Sequence, residues 1–271
     1  MQISVFYSHV LAASGQRGLT VAEVLKRIKG FGIDAVELDL AEVKPGRGEL
    51  REQLAQAGLA VASMYAFFDY GNDPDVESGL RFIDAAEFFG APKVLAIPGF
   101  IDESASPGTR DRALLRMAAA LQEMCSYAEQ KNIVVTMEDF DDVRAPFATA
   151  DQLLWFLDRV PQLGCTFDTG NFIYSAEDEL EAYAKLEVRI VHVHCKDHAL
   201  DERNGGKPKI TLNGTALYPS PVGSGIIAIE EILKRLKAYG YVDTLAIEHF
   251  DALDQLAYME QSAAWLRARF S

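Results

Sequence analysis

Eight short β-type runs, each followed by a helical stretch, alternate from one end of the chain to the other. The runs are Gln2–Ser8, Ala35–Leu40, Leu59–Ala66, Lys93–Pro98, Ile133–Asp139, Gly164–Thr169, Arg189–Cys195 and Thr244–Phe250. Between them, segments such as VAEVLKRIKGFG, ALLRMAAALQEMCSYAEQ and IEEILKRLKAYG place apolar residues at i, i+3, i+4 and i+7, the helical period. Helix stops are expected at FGI (31–33), AGL (57–59), FGAP (89–92) and YGY (239–241), each built on glycine. Strand–helix alternation of this kind requires parallel strands joined by crossover helices. Eight units in 271 residues predict an α/β chain folded as a single (β/α)8 TIM barrel over residues 1–271. An open doubly wound sheet is the competing topology, because counting units does not show closure.

Two stretches break the rhythm. Residues 99–110 form a polar segment after the fourth run, and residues 197–225 are long and rich in Gly and Pro. The second is expected as a long loop at the C-terminal face of the barrel, where loops of this length are functional covers or disordered.

The ends of the last four strands carry the chemistry. They read VVTMEDF, CTFDTGN, VHVHCKDH and LAIEHF. Strand side chains alternate between faces. Val134, Thr136 and Glu138 share one face; so do Gly164, Thr166 and Asp168, then Ile190, His192 and His194, then Thr244, Ala246 and Glu248. The opposite faces are almost wholly apolar and suit contact with outer helices. The mixed faces therefore point inward, and Glu138, Asp168, His194 and Glu248 are expected to meet at one level of the barrel mouth. Carboxylates ~4 Å apart repel by about 4 kcal/mol at an effective dielectric of 20. They must take up protons or share a cation. Three oxygen donors and one imidazole suit one divalent cation, Mn²⁺ first, with Mg²⁺, Co²⁺ and Zn²⁺ also compatible. Taken singly, an acid at a strand end is more often a helix cap or a solvated charge; four with the same parity are not.

These strand ends, with VGSGIIAIEEIL ahead of the last strand, resemble the xylose isomerase-like TIM barrel superfamily, which holds the sugar phosphate isomerase/epimerase group. The resemblance spans the whole chain. It implies that Glu138 and Glu248 bind the metal and also move a proton as catalytic residues, while Asp168 and His194 serve as ligands. Three positions depart from the pattern of the D-tagatose 3-epimerases within that group. Asn171 stands where they have histidine, Arg144 where they have glutamate, and Leu200 where they have arginine. The metal set carries over and the substrate does not. A small-molecule carbohydrate, a ketose or hydroxyketone, is the expected substrate, handled by proton transfer through an enediolate. A lyase similar to inosose dehydratase and a non-catalytic binding or accessory subunit are the alternatives.

Other residues have two readings each. Lys196 and Asn171 are candidate substrate contacts, with a salt bridge to Asp197 or another acid the bland alternative for the lysine. His9 and His198 are candidate pocket residues or exposed loop positions. Phe67, with Tyr65 and Phe68, supplies either an apolar wall for a sugar or loop packing. His192 is expected one layer below His194, in the core or behind the ligands. Glu37 and Asp39 share a face, so that one is an inward acid or a helix-facing ion pair. Asp139, Asp141 and Asp142 are expected as solvated or capping acids. Arg203, Lys207 and Lys209 are a solvated basic stretch or an anion-recruiting one.

A formal charge of −14 opposes nucleic acid as a partner, which disfavours the barrel nucleases that share this strand pattern. Cys125, Cys165 and Cys195 are widely spaced and form no metal or disulfide pattern, which fits a reducing compartment. The N-terminus lacks a basic leader and no apolar run approaches a bilayer span. The expectation is a cytoplasmic protein with no membrane partner, a homo-oligomer by analogy with relatives of this kind.

Overall fold

Strand β1 (Gln2–Phe6) runs straight into helix α1 (Tyr7–Arg17) with no intervening loop. Alternation alone extended this strand to Ser8 and made His9 a loop residue. The chain instead turns helical at Tyr7, because Tyr7, Val10 and Ala13 form an i, i+3 stripe that buries. Helix α2 (Val21–Gly30) starts on a reciprocal cap in which Thr20 and Glu23 satisfy each other's backbone N–H groups. Then come β2 (Ala35–Asp39), α3 (Leu40–Val43), α4 (Arg47–Ala57), β3 (Ala60–Phe67), α5 (Val76–Phe89) and β4 (Lys93–Ile97). Helix α6 (Pro107–Glu129) opens on Ser106 and Pro107, a capping hydroxyl followed by a residue with no N–H to orphan. The second half holds β5 (Val134–Met137), α7 (Ala150–Arg159), β6 (Gly164–Asp168), α8 (Glu179–Leu186) and β7 (Ile190–Ala199). It ends with β8 (Lys209–Ile210), β9 (Ala216–Ser220), α9 (Ile229–Tyr239), β10 (Thr244–Glu248) and α10 (Gln255–Phe270). The computed structural model describes residues 1–43 and 46–270.

Eight of these strands close a parallel barrel in the order β1-β2-β3-β4-β5-β6-β7-β10, with β10 pairing back to β1. Closure rules out the open sheet. Outward-facing Val36, Leu38, Val94, Val135, Phe167, Val193 and Ile247 are buried against the helices. The barrel interior is polar by comparison. Thr166 donates to Thr136 at 2.8 Å, Thr136 to the Val94 carbonyl at 3.2 Å, and Ser4 to Glu37 at 2.8 Å.

Register sets the height of the site. Cys165 pairs with Ile190, but the next pair is Thr166 with His192, so one residue of β7, Val191, is skipped. That irregularity brings Asp168 level with His194 instead of Val193. Gly164 makes room for it, since a Cβ there would lie 2.4 Å from Val191. Across the other edge, Ala246 pairs with His194 and Glu248 with Lys196.

The segment 197–225 is not a structureless loop. Strand β7 runs on past the barrel to Ala199, its end pairs antiparallel with β9, and β9 pairs with β8. Asp197 anchors the arrangement. Its carboxylate accepts the backbone N–H groups of Gly223 (2.8 Å), Gly225 (2.9 Å), Ile227 (3.2 Å) and His198 (2.9 Å). No sequence period reports such long-range pairing. Among the described residues, no helix is long and apolar enough to cross a membrane.

Candidate metal centre and cavity

Glu138, Asp168, His194 and Glu248 converge at the C-terminal mouth of the barrel, all but fully buried. His194 is the hub. Its Nδ1 lies 2.8 Å from Glu138 Oε2 and 3.3 Å from Glu248 Oε2. Its Nε2 faces the opposite way, 3.3 Å from Glu37 Oε2. The other oxygen of Glu37 meets His192 Nε2 at 2.8 Å. So Glu37 points inward, with Ser4, His192 and His194 as partners, and Asp39 does not share its role.

Asp168 divides its two oxygens. Oδ1 accepts the backbone N–H of Gly170 (2.7 Å) and Asn171 (3.0 Å), which fixes the turn after β6. Oδ2 is left facing the centre. Asp168 Oδ2 is buried with no hydrogen-bond partner, while Glu138 Oε2 and His194 Nδ1, also buried, have only each other and Glu248 within ion-pair distance. One donor atom from each of these three residues lies within 4.8 Å of the others, a grouping that fits a metal ion. Glu37, His192 and His194 form a second such group, on the other side of the same imidazole.

Electrostatics point the same way. Burial, then the neighbouring Glu248, push Asp168 far above the usual carboxylate range. Burial also raises Glu138, against the pull of His194. Burial lowers His194, but Glu138 and Glu37 outweigh it and hold the imidazole well above its ordinary value. Without a cation, these acids compete for one imidazole and one lysine. A divalent ion relieves that crowding.

Lys196 is the lysine. Its ammonium lies 2.8 Å from Glu248 Oε1, 2.7 Å from Asn171 Oδ1, 3.8 Å from Asp141 and 4.0 Å from Asp168. Asp197 is not its partner, being taken up by backbone amides. Asn171 also donates to the Asp139 carbonyl at 2.9 Å. Gly170 lets the turn pass this close: a Cβ there would lie 2.7 Å from the Lys196 carbonyl.

A cavity of about 360 Å³ opens above these groups, with Glu138, Asn171, Lys196 and Glu248 in its wall. Phe67 stands at its mouth, 52% exposed, and Tyr65 lines it; Phe68 instead packs on Tyr70 and Phe82. His198 also lines the cavity and is buried, not exposed; burial lowers its pKa to about 4, so the ring is neutral and donates to the Gly170 carbonyl at 3.1 Å. His9 is buried in the first turn of α1 and is not among the lining residues. It accepts the His249 backbone N–H at 3.0 Å and stacks on the His249 ring behind Phe250.

Asp139 and Asp141 are not solvated. Asp139 is fully buried with neither oxygen hydrogen-bonded; burial, then Asp168, push it well above the usual carboxylate range. Asp141 lines the cavity and pairs with Lys209 at 3.1 Å, while Asp142 pairs with Arg144 at 2.8 Å. Arg144 and Leu200, two of the three departures from the epimerase pattern, are outside the cavity lining. Lys207 and Lys209 line it; Arg203 is exposed and paired with Asp201. Phe6, Phe140 and Phe250 also line the cavity and were not among the residues singled out from the sequence, although Phe6 shares the parity of Ser4 and Phe250 that of Glu248.

Known proteins agree with this architecture. The chain is 26% identical over 183 residues to an uncharacterized protein of Methanocaldococcus jannaschii, covering 66% of this chain and 57% of that protein. The chain thus spans little more than half the length of that relative. The structure of an L-ribulose 3-epimerase superposes with a TM-score of 0.75 at 21% identity, covering 100% of this chain and 95% of the other. An IolI protein crystallised with a zinc atom gives 0.75 at 15% identity, over 100% and 99%. At such identities the likeness establishes the fold. The sequence description of one family matches residues 25–269, nearly the whole barrel, and the chain belongs to the xylose isomerase-like TIM barrel family.

Proposed function

We propose that this chain is a divalent-metal-dependent isomerase or epimerase that moves a proton beside the carbonyl of a ketose or small hydroxyketone. The observation that carries this reading is the cluster of buried donor atoms Glu138 Oε2, Asp168 Oδ2 and His194 Nδ1, next to a cavity that Glu138 and Glu248 line. Asp168 and His194 would hold the ion with Glu138 and Glu248, and Mn²⁺ is the expected occupant. When bound, it supplies Lewis acidity beside the substrate oxygens. Glu138 and Glu248 flank His194 and both reach the cavity, so one removes the α-proton and the other returns it to the opposite face or the adjacent carbon. Lys196 and Asn171 face a substrate oxygen and steady Glu248.

The test is a panel of ketoses incubated with metal-loaded protein in D₂O. Expected is deuterium at a carbon next to the carbonyl, lost in Glu138→Gln and Glu248→Gln. Turnover without deuterium uptake would refute the enediolate route. A lyase is the second reading, favoured by Lys196, whose buried ammonium could protonate a departing hydroxyl; an ultraviolet-absorbing enone product would select it.

A further inference from the structure

The cavity does not end at its aromatic rim. Lys207, Phe250 and Asp251 line it and also line a neighbouring crevice of about 610 Å³, larger than the cavity itself. One wall of the crevice is the Ser8, Ala12 and Gln16 face of α1, with His9 beside it; the other is the chain beyond β10, at Ala252, Leu253 and Gln255. The two walls are tied together, because Gln16 donates to the Ala252 carbonyl and accepts the Gln255 N–H, each at 2.8 Å. The cover rests on the same chain. Gly206 has a left-handed φ of 81°, and a Cβ on it would run into the Asp251 carbonyl. The next residue, Lys207, is thereby held where cavity and crevice meet.

This junction offers hydrogen bonds that the protein leaves unused. Among the described residues, the Lys207 ammonium and the Asp251 carboxylate make no ion pair or hydrogen bond. His9 accepts the His249 N–H through Nε2; burial, then His249, hold the ring neutral, so its hydrogen sits on Nδ1 without a partner. Phe250, 42% exposed, adds an aromatic surface that both spaces share. One ammonium and one carboxylate select no net charge, whereas a hydroxylated ring can both accept from Lys207 and His9 and donate to Asp251. We propose that the substrate spans both spaces: a ketose whose carbonyl end lies at the Glu138, Asp168, His194 and Glu248 centre and whose far end carries a second sugar ring, seated in the crevice between α1 and the chain beyond β10. The inference rests on the proton-transfer reading above and narrows its substrate class to glycosylated ketoses.

D-Fructose, isomaltulose and lactulose separate the cases. All three present the same HOCH₂–CO– head, and the two disaccharides add a hexose farther along the ketose. Each is titrated calorimetrically into the Mn²⁺-loaded full chain, then recovered from D₂O and weighed for deuterium by mass spectrometry. One hydrogen bond to a charged group is worth about tenfold or more in affinity. Expected is therefore binding of at least one disaccharide about tenfold or more tighter than that of D-fructose, with deuterium beside its carbonyl. Ala12→Trp, which fills the crevice, and Lys207→Ala, at an exposed position, should each cut that preference to about threefold or less while leaving Mn²⁺ affinity unchanged. A preference retained in both variants overturns the crevice as the seat of the second ring. Equal or weaker binding of both disaccharides, with deuterium in D-fructose, overturns the extended substrate and leaves the proton-transfer reading standing. A disaccharide preference with no deuterium in any compound keeps the extended ligand and overturns proton transfer. Binding of none overturns the extended ketose, and the ketose panel in D₂O then decides proton transfer on its own.

Discussion

Replacing Glu37 by glutamine tests how the imidazole at the centre is held. Glu37 does not line the cavity, yet both of its oxygens are committed: Oε1 to Ser4 and His192 at 2.8 Å each, Oε2 to His194 Nε2 at 3.3 Å. A carboxylate there requires the hydrogen of His194 to sit on Nε2, leaving the Nδ1 lone pair free toward Glu138 and Asp168. Glutamine keeps the shape, removes the charge, and turns one acceptor into a donor facing an N–H. A hydrogen bond to a charged group contributes about 1.5–3 kcal/mol, or roughly 10- to 150-fold in an equilibrium constant. The 3.3 Å separation is longer than the ~2.7–2.9 Å of a strong ammonium–carboxylate pair, so the lower end applies. Glu37→Gln should weaken Mn²⁺ binding by about 10- to 30-fold, measured by competition with a fluorescent chelator. The stoichiometry should stay at one ion per chain. Unchanged affinity would refute the orienting role. Two ions in the wild type and one in the variant would show that Glu37, His192 and His194 are themselves a ligand set.

Further outcomes follow from the same geometry. Asp168→Ala should abolish stoichiometric metal after dialysis against Mn²⁺, read by elemental analysis, since Oδ2 is a donor no neighbour replaces. Lys196→Met should lower kcat more than metal affinity, because it removes close contacts to Glu248 and Asn171 and only a 4.0 Å one to Asp168; equal losses in both would count against it. Asp197→Ala should leave the barrel folded but expose 200–225 to limited proteolysis and lower stability by about 2–4 kcal/mol, as four backbone N–H groups lose one acceptor. Glu42 is raised from 4.5 to about 7 by burial, then by Asp39. The native state therefore holds an extra proton between those values, and stability falls as pH rises through 7. Glu42→Gln should raise Tm at pH 8 and leave it unchanged at pH 4.5; the same gain at both would refute the assignment.

Parity was enough to assemble Glu138, Asp168, His194 and Glu248, because an inward acid is conspicuous wherever the opposite strand face is apolar. It also predicted His192 one layer down. What it left open depends on alignment between strands. Glu37 and Asp39 have the same parity, and only the pairing of β2 with its neighbours sets Glu37 beside His192 and His194. The skipped Val191 that levels Asp168 with His194 leaves no periodic trace. Asp139 looked like a surface acid because its neighbours Asp141 and Asp142 are charged, whereas the Asn171 amide on its carbonyl draws that turn inward. The antiparallel extension after β7 was hidden by its Gly and Pro content, since Asp197 holds it through backbone amides that carry no residue signature.

Strand β7 carries His194, Lys196 and Asp197 within four consecutive residues, and each belongs to a different system: the candidate metal centre, the cavity wall and the anchor of the cover. The cover cannot swing like a door without dragging the post it hangs on. Phe67 and Phe250 line the same cavity from outside that strand. An exchange of aromatics at Phe67 or Phe250 leaves that anchor intact, whereas a shift of the cover is passed along one strand to His194.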